Sequence, residues 1–206
     1  MLYATPPRQT VQQSYHLLFL SRYVVRTLAD SGIPSMVLKG CAAAEYYPVP
    51  ELRKSGDVDL LLENEEAVEA ACRCLEAHGF RRAEVQHANH HLVCVSPDQI
   101  DIELHMTLTE PFDEQRVNDR LLECQAEFFR HCREEEIMGI ALPVPENPYF
   151  AFYLLLHMLQ HFLRAGFGLK LLCDWVVFWK KGVSGEEQQL YKKLIAESGL
   201  KGFSDV

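Results

Sequence analysis

Apolar residues recur at helical spacing through VQQSYHLLFLSRYVVRTLADSG, with Leu17, Leu20, Val24 and Leu28 on one face, and the pattern predicts a helix closing at Gly32. The period then changes. PSMVLKG reads as a short buried strand ending at Gly40, and CAAAEYY as a helix of about two turns stopped by Pro48 and Pro50. DVDLLLE alternates like a strand. Asn64 is placed to cap a helix over EEAVEAACRCLEAH, where Glu65 and Glu66 suit the positive end of the helix dipole and Gly79 closes the element. FRRAEVQ, HHLVCVS and QIDIELHMTL are three further strands, the last two joined by SPDQ as a hairpin turn. From about Glu114 to Glu135 the chain is helical and acidic, with REEEI as solvated surface, and IMGIALPV is a last strand or a loop. NPYFAFYLLLHMLQHFLRAG and LKLLCDWVVFWKK are two strongly apolar helices, followed by a weaker one near EEQQLYKKLIAESG.

Strand alternation also places charge. Asp57 and Asp59 share a face with Leu61, while Val58, Leu60 and Leu62 hold the other face in the core. QIDIELHM repeats the arrangement, with Ile100, Ile102 and Leu104 on one side and Asp101, Glu103 and His105 on the other. If the two strands are neighbours, their carboxylates come within roughly 5 Å of one another. Each like-charged pair at about 4 Å then costs roughly 4 kcal/mol at an effective dielectric of about 20. Such a cluster calls for a cation. Carboxylate oxygens without cysteine suit Mg²⁺ or Mn²⁺, and two such ions clamp both sides of a phosphoryl or nucleotidyl transfer. In VLKGCAAAE a strand enters a helix through Gly40, leaving backbone N–H groups where a triphosphate fits, and Lys39 adds a charge there. Arg53 and Lys54, in the loop before the aspartates, are placed to neutralise phosphates. Taken singly, an Asp-x-Asp pair also fits a solvated edge strand, and a glycine at such a junction often serves only the turn. Their order and spacing make the case.

Composition narrows the class. The 206 residues, 48% hydrophobic and 24% charged, suit a globular protein able to bury a core, and no apolar stretch approaches the roughly 18 residues of a membrane span. The N-terminus lacks the features of a secretory signal, which predicts a cytoplasmic protein. Seven cysteines, an odd number, read as reduced and mostly buried thiols. A net charge of −9 makes long nucleic acid an improbable partner. The pattern of elements is α+β: a mixed sheet flanked by helices over residues 1–142, followed by a helical subdomain over 143–206. GLKGFSDV carries no terminating signal, so the reading expects a truncated chain.

LKGCAAAEYYPVPELRKSGDVDLLL, HH, IDIELHMTL and LLLHMLQH followed by LKLLCDW together resemble a nucleotidyltransferase family. Its members carry Leu-Lys-Gly, Arg-x-x-x-Asp-apolar-Asp, Asp/Glu-Leu-His and a distal His and Asp. The family is a branch of the DNA polymerase beta-like nucleotidyltransferase superfamily. The resemblance runs over residues 35–180. It implies a mixed sheet in which Asp57 and Asp59 bind metal, Glu103 is the third carboxylate with Asp101 in reserve, and Gly40 opens a helix beside the phosphates. It also implies a pocket closed by helices bearing His157, His161, Lys170 and Asp174. The wider superfamily has Ser or Gly after the turn glycine where this chain has Cys41, so a hydroxyl contact to phosphate is missing.

The histidines allow other readings. His157 and His161 share a helical face and Asp174 follows on the next helix, which is conceivable as a zinc site, although Met158 stands where a metalloprotease carries glutamate. The alternative is histidines hydrogen-bonded in a core or pocket. HANHH, residues 87–91, places His91 beside the acidic face, and His105 shares parity with Glu103 as a proton carrier or a carboxylate partner. Trp175 and Trp179 fit a helix–helix core or an aromatic clamp for a base. The leading expectation is metal-dependent nucleotidyl transfer, with Mg²⁺ or Mn²⁺ as cofactor, a nucleoside triphosphate as substrate and an unidentified hydroxyl or amine acceptor. The alternatives are a nucleotide-binding regulatory module without turnover, and a zinc hydrolase.

Overall fold

The computed structural model describes residues 8–84, 90–164, 166 and 168–205. The first helix, α1 (Arg8–Asp30), buries Leu17, Leu18, Val24 and Leu28, the face its periodicity defines. Strand β1 (Met36–Val37) follows, then α2 (Cys41–Ala44), one 3₁₀ turn over Pro50–Leu52, and β2 (Asp57–Leu61). Helix α3 (Glu65–Ala77) is capped by the Asn64 side chain, which accepts from Ala67 N at 2.9 Å. Next come β3 (Arg81–Arg82), β4 (His91–Val95), β5 (Asp101–His105) and α4 (Gln115–Arg130). The remainder is a hairpin of β6 (Cys132–Ile137) and β7 (Ile140–Pro145), then α5 (Asn147–Arg164), α6 (Leu169–Lys181), α7 (Gly185–Glu197) and α8 (Lys201–Ser204).

Five strands form one mixed sheet in the order β1-β2-β5-β4-β3. The central pair β2–β5 is parallel and the other pairs are antiparallel. Parallel neighbours need a long crossover, which α3 and the β3–β4 strands supply. One continuous core joins α1, α3 and the sheet to α5, whose Phe150, Phe152, Tyr153, Leu154, Leu155 and Leu156 are all buried. The architecture is α+β, and among the described residues no helix is long and apolar enough to cross a membrane.

Three expectations need correction. Helix α2 is one turn of four residues rather than two, because the chain leaves it before Pro48 into the Pro50 turn. The acidic helix stops at Arg130, and REEEI is strand β6 rather than helix. Its alternating exposure pairs against β7 across Met138 and Gly139, whose φ values of 49° and 82° make the two-residue turn that suits a hairpin's twist. The cysteines are all free, but Cys41, Cys72 and Cys94 alone are buried, while Cys132 and Cys173 are exposed. Of the FRRAEVQ and HANHH segments, residues 85–89 lie outside the described residues.

Candidate active site

The parallel register sets Asp57 opposite Asp101, Asp59 opposite Glu103 and Leu61 opposite His105. The antiparallel register then brings His91 opposite His105. Strand parity and strand order thus gather the acidic faces onto one side of the sheet, under α5. There a cleft of about 420 Å³ opens, lined among others by Lys39, Asp57, Glu103, His105, Tyr153 and His157.

Asp59 is the buried centre, with no exposed surface. Its Oδ1 receives Lys39 Nζ at 2.8 Å and His105 Nε2 at 3.2 Å, and His105 Nε2 also lies 3.2 Å from Glu103 Oε2. Burial disfavours the Asp59 anion, but Lys39 and His105 outweigh it and hold the carboxyl well below the usual range. Burial likewise opposes the charge on Lys39, yet Asp59 raises its pKa. His105 is raised by its bonds to the two carboxylates, again against burial. Asp57 behaves oppositely: burial first, then Asp59, pushes its pKa up, so it sits half-buried on the open side as an anion short of partners.

Asp59, Glu103 and His105 each offer a ligand atom within 4.8 Å of the others. Asp59 Oδ2 is buried with no hydrogen-bond partner in the protein. A buried carboxylate oxygen left unpaired, beside a half-buried second aspartate and a glutamate, is an oxygen donor set that fits a hard divalent cation.

Arg53 stands elsewhere than the sequence reading put it. Its guanidinium is buried, donating to both oxygens of Asp174 at 2.8 and 2.7 Å, and to Gly40 O and Ser55 Oγ. Tyr47 donates a further bond to Asp174 at 2.7 Å. This fork ties the loop before β2 to α6, and it engages the arginine that was expected at phosphate. It also engages Asp174, which therefore does not join His157 and His161. Among the described residues that trio forms no metal-ligating group. His157 lines the cleft and stacks on Tyr153, and burial drives its pKa well down, so the ring is neutral. His161 is also on the cleft, at 4.5 Å between ring centroids from His157.

Gly40 keeps φ at 61° where α2 begins, a conformation that L side chains rarely adopt. Lys54 and Asp101 are exposed and neither lines the cleft. Lys170 lies near enough to Asp57 to lower its pKa, while burial and Arg53 depress the lysine's own. Trp175 and Trp179 pack on each other and on Tyr191, the helix–helix arrangement. Sequence reasoning passed over His90, Tyr153, Glu110 and Arg164, all on the cleft. The doubled histidine of HANHH was the available signal for His90; the others face the cleft through packing that no motif marks.

The same α+β fold is found in solved structures that include a nucleotidyltransferase-like protein. Solved structures that share the fold include the antibiotic-resistance factor ANT(2'')-Ia, with a TM-score of 0.59 at 10% identity over 94% of this chain and 98% of that one. The same factor in complex with adenylyl-2''-tobramycin gives 0.57 at 12% identity, over 87% and 97%. An antigenic nucleotidyltransferase-like protein from Paracoccidioides brasiliensis gives 0.55 at 17% identity, over 90% and 89%. No curated protein sequence matches the chain. The chain belongs to the family described as "Uncharacterised nucleotidyltransferase", whose model matches residues 7–203, and is an enzyme of that class.

Proposed function

We propose that the protein transfers a nucleoside monophosphate from a nucleoside triphosphate to a hydroxyl or amine acceptor, with Mg²⁺ or Mn²⁺ held by Asp57, Asp59 and Glu103. The observation that supports this most directly is the unpartnered Oδ2 of buried Asp59 beside Glu103 and the half-buried Asp57. Bound there, a divalent ion supplies neutralisation of the triphosphate and of the departing pyrophosphate. Lys39 and Gly40 form the triphosphate side in this reading, with Lys170 adding positive charge near Asp57. A Glu103 oxygen accepts the proton of the acceptor as that group attacks the α-phosphorus and pyrophosphate leaves. His105 holds Asp59 and Glu103 in place from Nε2. The net charge of −9 argues for a small acceptor over long nucleic acid.

The test is thermal stabilisation by each of the four nucleoside triphosphates, with and without Mg²⁺ or Mn²⁺, in wild type and Asp57→Asn. A nucleotide at about 100 times its Kd stabilises by about 2.7 kcal/mol. The expected result is a metal-dependent shift in wild type that Asp57→Asn loses. Because burial and then neighbouring anions raise the Asp57 pKa, the neutral variant is expected to be at least as stable as wild type without ligand, which separates a lost site from a lost fold. An unchanged shift in the variant, or one indifferent to metal, refutes the reading. Metal-dependent stabilisation without pyrophosphate release would assign the site to nucleotide binding alone.

A further inference from the structure

The cleft carries a second donor set made of imidazoles. His91 opens β4 directly across from His105 at the end of β5. His90 is fixed beside them by the backbone bond from Met106 N to His90 O at 3.0 Å. A ring nitrogen of each of the three lies within 4.8 Å of the other two, and all three side chains line the cleft. His91 Nδ1 is 3.1 Å from His90 Nε2. Two nitrogens on one tetrahedral zinc, each bound at about 2.0–2.1 Å, stand roughly 3.3 Å apart. The observed spacing is therefore already close to that of two ligands of a shared ion.

One buried atom points the same way. His105 Nδ1 is buried with no hydrogen-bond partner in the protein. Carboxylates only accept, so the contacts of His105 Nε2 with Asp59 and Glu103 put a proton on Nε2 and make Nδ1 the nitrogen at which an ion would take the place of a second proton. A carboxylate behind the imidazole is the arrangement that orients metal-bound histidines. Neutral nitrogen donors favour zinc, cobalt or nickel over magnesium, and three protein ligands leave a fourth position open toward the cleft.

We infer that His90, His91 and His105 bind one divalent transition-metal ion of the zinc class, distinct from the carboxylate site of Asp57, Asp59 and Glu103. The inference does not rest on the proposed transfer reaction. Each histidine gives one ring nitrogen to the ion and keeps its remaining proton on the other.

The experiment is Co²⁺ titration of the full chain read by visible absorption, followed by zinc competition. One equivalent of Co²⁺ is expected to give the intense absorption of tetrahedral nitrogen coordination. Zinc should displace it stoichiometrically, and a large excess of Mg²⁺ should not. His91→Gln, half-buried at a strand end, should keep its melting transition but lose the band and bind zinc at least tenfold more weakly; His90→Asn should do the same. Asp57→Asn should keep the band. A weak octahedral spectrum in wild type overturns the inference, as does a band that survives both histidine substitutions. A band lost equally in Asp57→Asn also overturns it, because the ion then sits on the acidic strand.

Discussion

Lys39→Met tests whether lysine is what keeps Asp59 charged inside the protein. Asp59 has no exposed surface, the Lys39 side chain is 20% exposed, and the contact is 2.8 Å. At an effective dielectric of about 20, a pair at that spacing attracts by roughly 6 kcal/mol before desolvation is counted. Removing one partner of a buried pair costs about 3–5 kcal/mol because the other charge is stranded. His105 stays 3.2 Å from the same oxygen and softens the loss, so the lower end, about 3 kcal/mol, is expected. At about 2–4 °C per kcal/mol for a chain of this size, the melting temperature in metal-free buffer should fall by roughly 6–12 °C. Two further measurements sharpen the test. Millimolar Mg²⁺ should stabilise the variant more than wild type, since the Lys39 ammonium no longer competes with the ion for the Asp59 carboxylate. Lys39→Met combined with Asp59→Asn should recover most of the loss, because a pair removed whole strands no charge. A single variant within about 0.5 kcal/mol of wild type, or a double variant no better than the single, refutes the argument.

Arg53 and Asp174 are about 3% and 2% exposed, so Arg53→Ala should cost about 3–5 kcal/mol in urea denaturation, and Arg53→Lys should recover little because an ammonium cannot span both oxygens. A lysine variant as stable as wild type would show that the fork geometry is unimportant. At Cys72, the Cys94 thiol donates to Sγ from 3.1 Å and Arg82 from 3.2 Å, and against burial these bring the Cys72 pKa down to about 6. A depressed acid stabilises the fold above its unfolded pKa and loses that contribution as pH falls through the folded value. The ultraviolet absorbance of thiolate should therefore appear as pH rises through about 6, and vanish in Cys72→Ser. A first step only near the ordinary thiol value of about 8.5 would refute this.

Local chemistry was legible where it governs the outcome. Asn64 caps α3 as its side chain predicts, the face of α1 is the one its period defines, and the parity of DVDL and IDIELH put the right side chains on the acidic face. What parity cannot give is which strands are neighbours. The contacts of His105 with Asp59 exist because β2 and β5 pair in parallel at a register of Asp59 to Glu103. REEEI was misread because three successive glutamates suppress strand propensity, and because Met138 at positive φ is a weak signal for a tight turn. Arg53 was misread because its partner is 121 positions away. A cation before an acidic strand looks like a phosphate ligand until the helix that neutralises it is seen.

The Arg53–Asp174 fork also constrains how this family can be recombined. Grafting the α5–α8 segment from one member onto the sheet of another resembles trading cassettes, and broad helix–helix packing tolerates much sequence change. The guanidinium does not. A donor segment lacking an acid at position 174 leaves a buried arginine facing carbon, while one that brings the acid restores both bonds at once. Compatibility of such chimaeras should therefore sort on a single two-residue match, and the two positions should travel together through any shuffled library.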